Sequence, residues 1–245
     1  MSARDIRYAF LGDSNTWSGG VECTKEDSWT YWFMQQMQPA TCYNFARSGA
    51  TWTNTSQTLR LPLDSTAVLS DQNVLFNQVV RLLQVVQQNL QPEPDVILIL
   101  AGTNDAWFEA KRPGIWDMTV EDAFLIPSDK LAKMEPGEVT SLALSVRFAA
   151  ETLQRAFPLA QIVLITPPQT TKTSVEKIQR VSEVIDGCGL AVGLPVIHLE
   201  GEQFISRAQE QQAFSFTKDG AHTNVQGARK IGKTIAAIVT KYGIR

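Results

Sequence analysis

The chain has 245 residues, of which 44% are hydrophobic and 19% charged, with a formal net charge of −3. This hydrophobic share supports a large core and excludes a disordered chain, and the mildly acidic balance argues against nucleic acid as the main partner. The two histidines, His198 and His222, are too few for a zinc site built on several imidazoles, so we expect no metal.

Short apolar runs bounded by turn residues predict five strands, and segments with helical spacing of apolar residues lie between and after them. In chain order the predicted strands are 6–11, 41–45, 95–100, 161–166 and 195–199, and the predicted helices are 29–38, 73–90, 139–157, 174–188 and 225–242. This alternation favours an α/β fold, in which helices cover both faces of a parallel sheet. Because no repeat or linker interrupts the pattern, we expect residues 1–245 to form a single domain.

Two long segments, the polar stretch 51–72 and the mixed, charged stretch 106–138, do not fit the alternation. Both follow predicted strands at the carboxyl edge, where open α/β sheets bind their ligands. The segment 106–138 is an insertion, and the sequence leaves open whether it covers a site as a lid or mediates contacts between subunits. The oligomeric state is open as well.

The apolar run at 6–11 is too short for the core of a signal peptide, and no apolar stretch approaches the ~20 residues that cross a bilayer. Three scattered cysteines without CxxC spacing favour reduced thiols over a disulfide framework. We therefore expect a soluble cytoplasmic protein without a membrane span.

Polar turns that contain glycine follow the first three strands, at residues 12–15 (Gly-Asp-Ser-Asn), 47–50 (Arg-Ser-Gly-Ala) and 102–105 (Gly-Thr-Asn-Asp). If the strand order is 2-1-3-4-5, the crevice between strands one and three is the switch point of the sheet. Ser14 and Asn104 would then flank this crevice.

The segment before the last helix holds Asp219 three residues ahead of His222. A serine hydroxyl needs a base to become a nucleophile, and a carboxylate on the other imidazole nitrogen fixes the tautomer of that base. Ser14, His222 and Asp219 can fill these three roles. The oxyanion donors would be the backbone N–H groups of Ser14 and Gly49 and the side-chain amide of Asn104.

These blocks resemble the SGNH, or GDSL-type, hydrolase family of esterases and lipases. They occur in the family's order and span residues 6 to about 225. The resemblance implies a three-layer α/β/α sandwich with a flavodoxin-like five-stranded sheet of order 2-1-3-4-5, and ester hydrolysis through an acyl-enzyme without a cofactor. It assigns Ser14 as nucleophile, Gly49 and Asn104 as oxyanion donors, and His222 as base supported by Asp219. The one departure is Asn15, where the family name has leucine.

Six tryptophans lie before residue 117, and three of them follow proposed site residues by three positions. Trp17, Trp52 and Trp107 either pack in the core at the sheet edge or form an aromatic wall for an acyl, aryl or sugar group. Asp13 and Asn15, beside Ser14, are further candidates for substrate contact.

The remaining aromatic and histidine residues have plainer interpretations. We expect Trp29 and Trp32 to pack in the core, and Trp116 would belong to a lid if the insertion forms one. His198 lies inside the predicted fifth strand, which favours a sheet residue without a catalytic role.

Residues 227–234 match the Walker A pattern, but their apolar positions lie on one face of the predicted last helix, so we reject a phosphate site there. The sequence therefore predicts a serine esterase acting on a small-molecule ester, with a short acyl group such as acetyl on a carbohydrate or aryl alcohol. The alternatives are a lipase or thioesterase of the same family, and a ligand-binding module on the same fold without turnover.

Overall fold

A computed structural model describes residues 6–61 and 70–244. Within them, five parallel strands form a sheet of order β2-β1-β3-β4-β5, which confirms the predicted order. The strands are β1 (Arg7–Gly12), β2 (Thr41–Asn44), β3 (Val96–Leu100), β4 (Gln161–Ile165) and β5 (Val196–Ile197). Part of the polar segment 51–72, residues 62–69, lies outside the described residues.

Helices cover both faces of the sheet, as the alternation of elements predicts. They are α1 (Ser14–Trp17), α2 (Trp29–Met37), α3 (Leu75–Gln87), α4 (Thr103–Trp107), α5 (Val120–Leu125), α6 (Ser128–Leu131), α7 (Leu142–Ala156), α8 (Val175–Val192), α9 (Arg207–Gln212) and α10 (Val225–Lys241). Short 3₁₀ turns occur at Glu109–Lys111 and Pro136–Glu138. None of the described helices is both long and apolar enough to cross a bilayer.

The two faces of the sheet bury separate apolar clusters, because successive side chains of a strand point to opposite sides. Ala9 and Leu11 of β1 face the layer of α3, α7 and α8. Tyr8 and Phe10 face the layer of α2 and α10. In that second layer α10 approaches α2 closely, since a Cβ on Gly232 would lie 2.3 Å from the carbonyl oxygen of Trp29.

The fifth strand is shorter than predicted, and the interpretation of His198 as a sheet residue is wrong. Only Val196 and Ile197 pair with β4, because β5 is an edge strand that the chain soon leaves. The His198 side chain is 50% exposed, and its ring nitrogens lie 3.2 Å from Asp186 Oδ1 and 3.0 Å from Glu200 Oε1. His198 therefore belongs to a surface cluster.

The insertion packs against the flank of the domain beside α7 and α8. The Arg147 guanidinium of α7 donates hydrogen bonds to the backbone carbonyls of Ala123 and Ile126, the latter at 2.7 Å. Trp116 does not cover the crevice between β1 and β3. Its ring lies 3.8 Å from the guanidinium carbon of Arg180 on α8.

The cysteines are reduced, as expected, and the two tryptophans of α2 differ in their burial. All three cysteines carry free thiols, and the Sγ atoms of Cys23 and Cys42 lie 2.7 Å apart. Trp29 is buried in the core as expected, whereas Trp32 is half-buried.

Candidate active site

The turn after β1 presents Ser14 at the first position of α1. A Cβ on Gly12 would lie 2.2 Å from the carbonyl oxygen of Leu100, so the end of β1 can approach β3 this closely only at a glycine. Asp13 caps α1, and its Oδ1 accepts the Asn15 N–H at 3.0 Å. Ser14 is half-buried, so its hydroxyl can be reached from the crevice.

Asp13 itself is fully buried and does not reach the solvent side of the crevice. Burial raises its pKa to about 6, although the hydrogen bond from the Asn15 N–H acts in the opposite direction. The structure therefore places Asp13 as a helix cap, away from the position of a substrate contact.

The histidine loop, residues 217–223, holds Asp219 and His222 in one compact turn. An antiparallel bridge between Thr217 and Thr223 closes the loop, and the Lys218 N–H donates to the His222 carbonyl at 2.8 Å. Inside it, Asp219 Oδ2 lies 2.8 Å from His222 Nδ1, and Asp219 Oδ1 accepts the His222 N–H at 2.8 Å.

These contacts determine the charge of Asp219. Partial burial raises its pKa, but the hydrogen bonds from the backbone and ring of His222 and from the Ala221 N–H outweigh it and lower the pKa to about 2. Asp219 is therefore an ionised carboxylate at neutral pH, and it orients the imidazole with Nδ1 toward itself.

A buried glutamate that the sequence did not single out organises the start of the histidine loop. Glu210 of α9 is 1% exposed, and its carboxylate accepts the N–H groups of Phe216 at 2.9 Å and Thr217 at 3.0 Å, together with the Thr217 hydroxyl. Thr217 Oγ1 in turn accepts the Gly220 N–H at 2.9 Å. No sequence pattern marks Glu210, because it resembles any acidic residue of an amphipathic helix.

Asn15 fastens the histidine loop to the turn that carries Ser14. Its Nδ2 donates to the Ala221 carbonyl at 3.3 Å, and its Oδ1 accepts the Thr223 N–H at 3.0 Å. The loop thus folds back over the crevice, with the residues on both sides of His222 held by the neighbour of Ser14. Asn15 is 4% exposed, so it acts as this connector and not as a surface for substrate.

The turns after β2 and β3 bring the other proposed donors to the same edge of the sheet. Gly49 has φ +72°, a left-handed conformation that favours glycine, and the Arg47 N–H holds its turn against the Gly12 carbonyl at 3.1 Å. Asn104 is buried, and its Nδ2 donates to the Ala50 carbonyl at 2.9 Å. An amide nitrogen carries two N–H groups, so this bond leaves a second donor on Asn104.

Asp105, the last residue of the Gly-Thr-Asn-Asp turn, binds the segment after Gly49. Its Oδ2 accepts the Trp52 N–H at 2.9 Å, and its Oδ1 accepts the Thr53 N–H at 3.0 Å and the Thr53 hydroxyl at 2.8 Å. Burial raises the pKa of Asp105, and these hydrogen bonds together with Arg112 oppose that rise.

The three candidate tryptophans separate into a buried one and two at the surface. Trp52 has no exposed surface, so it packs in the core and cannot form part of an aromatic wall. Trp17 and Trp107 are half-buried. Each carries a cation over its ring, with Arg47 4.3 Å from the Trp17 centroid and Lys172 5.8 Å from the Trp107 centroid.

A cavity of about 170 Å³ opens beside Gly49. Its described lining consists of Gly49, Asp71, Phe108, Lys111 and Arg112. The last three follow α4, so the beginning of the insertion forms part of the site although the rest packs on the flank.

The Ser14 hydroxyl makes no hydrogen bond within the described part of the chain, and neither does Nε2 of His222. Catalytic hydrogen bonds are often long in unliganded enzymes and shorten when the substrate binds. The arrangement thus places a hydroxyl, an imidazole with a carboxylate behind it, and a set of N–H donors around one crevice.

Comparisons with known proteins are consistent with this geometry. A family model described as GDSL-like lipase/acylhydrolase matches residues 8–235, whereas no curated protein matches the sequence. Similar solved structures include a possible lipase from Chitinophaga pinensis (14% identity, 98% of this chain and 100% of that one, TM-score 0.62). The M. smegmatis aryl esterase has 18% identity, covers 96% of this chain and 99% of its own, and gives a TM-score of 0.55. An acetyl xylan esterase has 16% identity, covers 96% and 100%, and gives a TM-score of 0.58. At these identities the structural similarity establishes the fold.

Proposed function

The chain belongs to the GDSL-like lipase/acylhydrolase family, and from that premise we propose that it is a serine esterase that hydrolyses carboxylic esters through an acyl-enzyme, without a cofactor. The observation that carries this proposal is the 2.8 Å contact between Asp219 Oδ2 and His222 Nδ1, in a loop that Asn15 fastens beside Ser14. A carboxylate bound to an imidazole, in a loop that is fastened to the neighbour of a serine, supplies the parts of a catalytic triad.

In the proposed reaction the ionised Asp219 accepts the Nδ1–H of His222, which leaves the lone pair on Nε2 free. His222 removes the hydroxyl proton of Ser14 as Oγ attacks the ester carbonyl. The negative oxygen of the tetrahedral intermediate receives hydrogen bonds from the backbone N–H groups of Ser14 and Gly49 and from the free N–H of Asn104. The charged imidazole then protonates the leaving alcohol.

The second half of the reaction repeats these steps with water. His222 deprotonates a water molecule, which attacks the acyl group on Ser14, and the proton returns to Ser14 as the acid leaves. A neutral imidazole is required at the start of each half.

The substrate class that fits best is an ester with a short acyl group, such as acetyl, on a carbohydrate or aryl alcohol. The cavity beside Gly49 is small, and two half-buried aromatic rings lie near the site, Trp17 at the end of the helix that begins with Ser14 and Trp107 stacked on Phe108 of the cavity lining. Two of the similar structures, an aryl esterase and an acetyl xylan esterase, support this class. Esters of long acyl chains and thioesters are the alternatives within the family.

A fluorophosphonate probe together with a panel of p-nitrophenyl esters and acetylated sugars tests the proposal. We expect labelling at Ser14 and hydrolysis of p-nitrophenyl acetate, and we expect both to be lost in Ser14→Ala. His222→Gln should lose hydrolysis, whereas His198→Gln, which changes the exposed histidine of the surface cluster, should retain it. Full activity of His222→Gln would overturn the mechanism.

The second candidate function is ligand binding on the same fold without turnover. The observation in its favour is that the Ser14 hydroxyl makes no hydrogen bond among the described residues. If the probe leaves Ser14 unlabelled and none of the esters is hydrolysed while the protein is folded, the binding function replaces the esterase.

A further inference from the structure

The cavity beside Gly49 adjoins the proposed oxyanion site, so a group bound in it lies close to the carbonyl that reacts. Its volume of about 170 Å³ is below the roughly 300–1,000 Å³ of most ligand pockets. It therefore suits a group of only a few carbon atoms.

The position of the cavity relative to the strands indicates whether it receives the acyl group or the alcohol of the ester. The leaving alcohol must lie beside His222, and the histidine loop is held from the β4 side, where the Gly220 carbonyl accepts the Thr170 hydroxyl at 2.6 Å and the Thr171 N–H at 2.8 Å. Gly49 belongs to the turn after β2. Since β2 and β4 lie on opposite sides of the β1–β3 pair, the cavity lies across the crevice from the alcohol and faces the acyl group.

The described residues that line the cavity include two cations, Lys111 and Arg112, and one carboxylate, Asp71. Arg112 is 7% exposed, and its Nη2 lies 3.1 Å from Asp71 Oδ1. Its Nε–H is a buried donor without a partner among the described residues. Lys111 is exposed and pairs with no carboxylate in the part of the chain that the structure describes. Arg112 thus lies beside carboxylates, and Lys111 is the lining cation that has no carboxylate partner among the described residues.

The described lining also includes one aromatic side chain, Phe108. Phe108 is stacked on Trp107, with centroids 4.8 Å apart and planes at 12°. Lys111 Nζ lies 5.5 Å from the centroid of the Phe108 ring. A short methylene chain can therefore lie along Phe108 while a negative group at its end approaches Lys111.

From this arrangement we infer that the cavity selects an acyl group that ends in a carboxylate, so that half-esters of short dicarboxylic acids such as succinate are preferred substrates. This inference rests on the proposed esterase function and names the acyl class of its substrate. In the reaction, Ser14 would carry the hemisuccinyl group, and water would release succinate.

The test compares 4-nitrobenzyl hemisuccinate with 4-nitrobenzyl butyrate, which differ in the terminal charge of the acyl group. The release of 4-nitrobenzyl alcohol gives kcat/KM for each ester. We expect the wild-type protein to prefer the hemisuccinate by about tenfold, as for one hydrogen bond to a charged group at a partly exposed site. Raised salt should reduce this preference.

Lys111→Gln removes the unpaired cation, and Lys133→Gln, at an exposed lysine of the insertion that is not among the described lining residues, is the matched control. We expect the hemisuccinate-to-butyrate ratio to fall about tenfold in Lys111→Gln and to stay at the wild-type value in Lys133→Gln. Ser14-dependent hydrolysis of both esters at equal rates, or an unchanged ratio in Lys111→Gln, overturns the inference and leaves the esterase intact. If neither these esters nor p-nitrophenyl acetate is hydrolysed, the proposed function fails and the inference with it.

Discussion

Replacing Asp219 by asparagine separates the proposed catalytic contribution of this side chain from its contribution to stability. In Asp219→Asn the Oδ1 atom can still accept the backbone N–H groups of the histidine loop. The amide NH₂, however, would face His222 Nδ1 and donate to it. The imidazole would then carry its proton on Nε2, where it cannot accept the proton of Ser14.

The two effects differ widely in size. The pKa of Asp219 is lowered from 3.8 to about 2, which at 1.36 kcal/mol per unit gives about 2.5 kcal/mol. Because the side chain is 44% exposed, solvent screening reduces this contribution to stability to about 1 kcal/mol. It is present above pH ~4 and is lost as the pH falls through ~2, since the folded-state pKa is the lower one. Reversing the tautomer in a triad lowers kcat about 10⁴-fold, which corresponds to ~5 kcal/mol of barrier.

Kinetics with p-nitrophenyl acetate near pH 8 and urea unfolding measure the two quantities on the same preparations. Asp186→Asn is the matched control, because Asp186 Oδ1 lies 3.2 Å from the ring of the other histidine, His198. We expect a large loss of kcat with a small loss of stability in Asp219→Asn, and no loss of kcat in Asp186→Asn. A kcat of Asp219→Asn within tenfold of the wild-type value would refute the tautomer argument.

Further predictions concern the buried polar groups around the site. Asn15→Ala removes two hydrogen bonds to the histidine loop. We therefore expect the free energy of unfolding, measured in urea, to fall by ~2 kcal/mol, and we expect kcat to fall more than KM changes. An unchanged kcat would contradict this prediction. Burial raises the pKa of Asp13 to about 6, so the folded state favours the protonated side chain. The contribution of this protonation to the free energy of unfolding is present below about pH 4 and is lost as the pH rises through 6. In urea unfolding, the free energy of unfolding of Asp13→Asn relative to wild type should therefore increase by up to ~3 kcal/mol between pH 4 and pH 8. A difference between the two proteins that does not depend on pH would count against the burial argument. Burial and the contact with Cys23 raise the pKa of Cys42, so a thiol reagent should react slowly with the native protein. After denaturation the reagent should titrate three thiols, whereas a value of one would show that Cys23 and Cys42 are oxidised to a disulfide.

The strands could be predicted because they depend on features that the local sequence carries, whereas their order was implied by the resemblance to the family. Val-Ile-Leu-Ile-Leu in β3 is buried at every position, as expected of a strand covered on both faces. The limits of β5 could not be predicted in this way. Its neighbours Pro195 and Leu199 are as apolar as a strand requires, but only two residues of this edge strand pair with β4.

In the candidate site, too, some residues could be predicted from the local sequence and others could not. Ser14, Asp219 and His222 belong to short motifs, so their residue types and spacing are enough to suggest a chemistry. Asn15 is one residue from Ser14, yet its hydrogen-bond partners lie more than 200 positions away, and no local pattern reports them. Likewise Trp52 follows Gly49 at the same spacing as Trp17 follows Ser14, but the anchor at Asp105 turns that segment into the core.

The connection between Asn15 and the histidine loop has a consequence for the way the protein folds. The hydrogen bond from Thr223 to Asn15 joins residues 208 positions apart, and the contact of Gly232 with α2 joins the same two regions of the chain. Contacts of such separation form slowly, because a long stretch of chain must be ordered before they are made. We therefore expect the proposed nucleophile Ser14 and the proposed base His222 to meet only in the last stage of folding, so that esterase activity would return after denaturation only when the whole chain has folded.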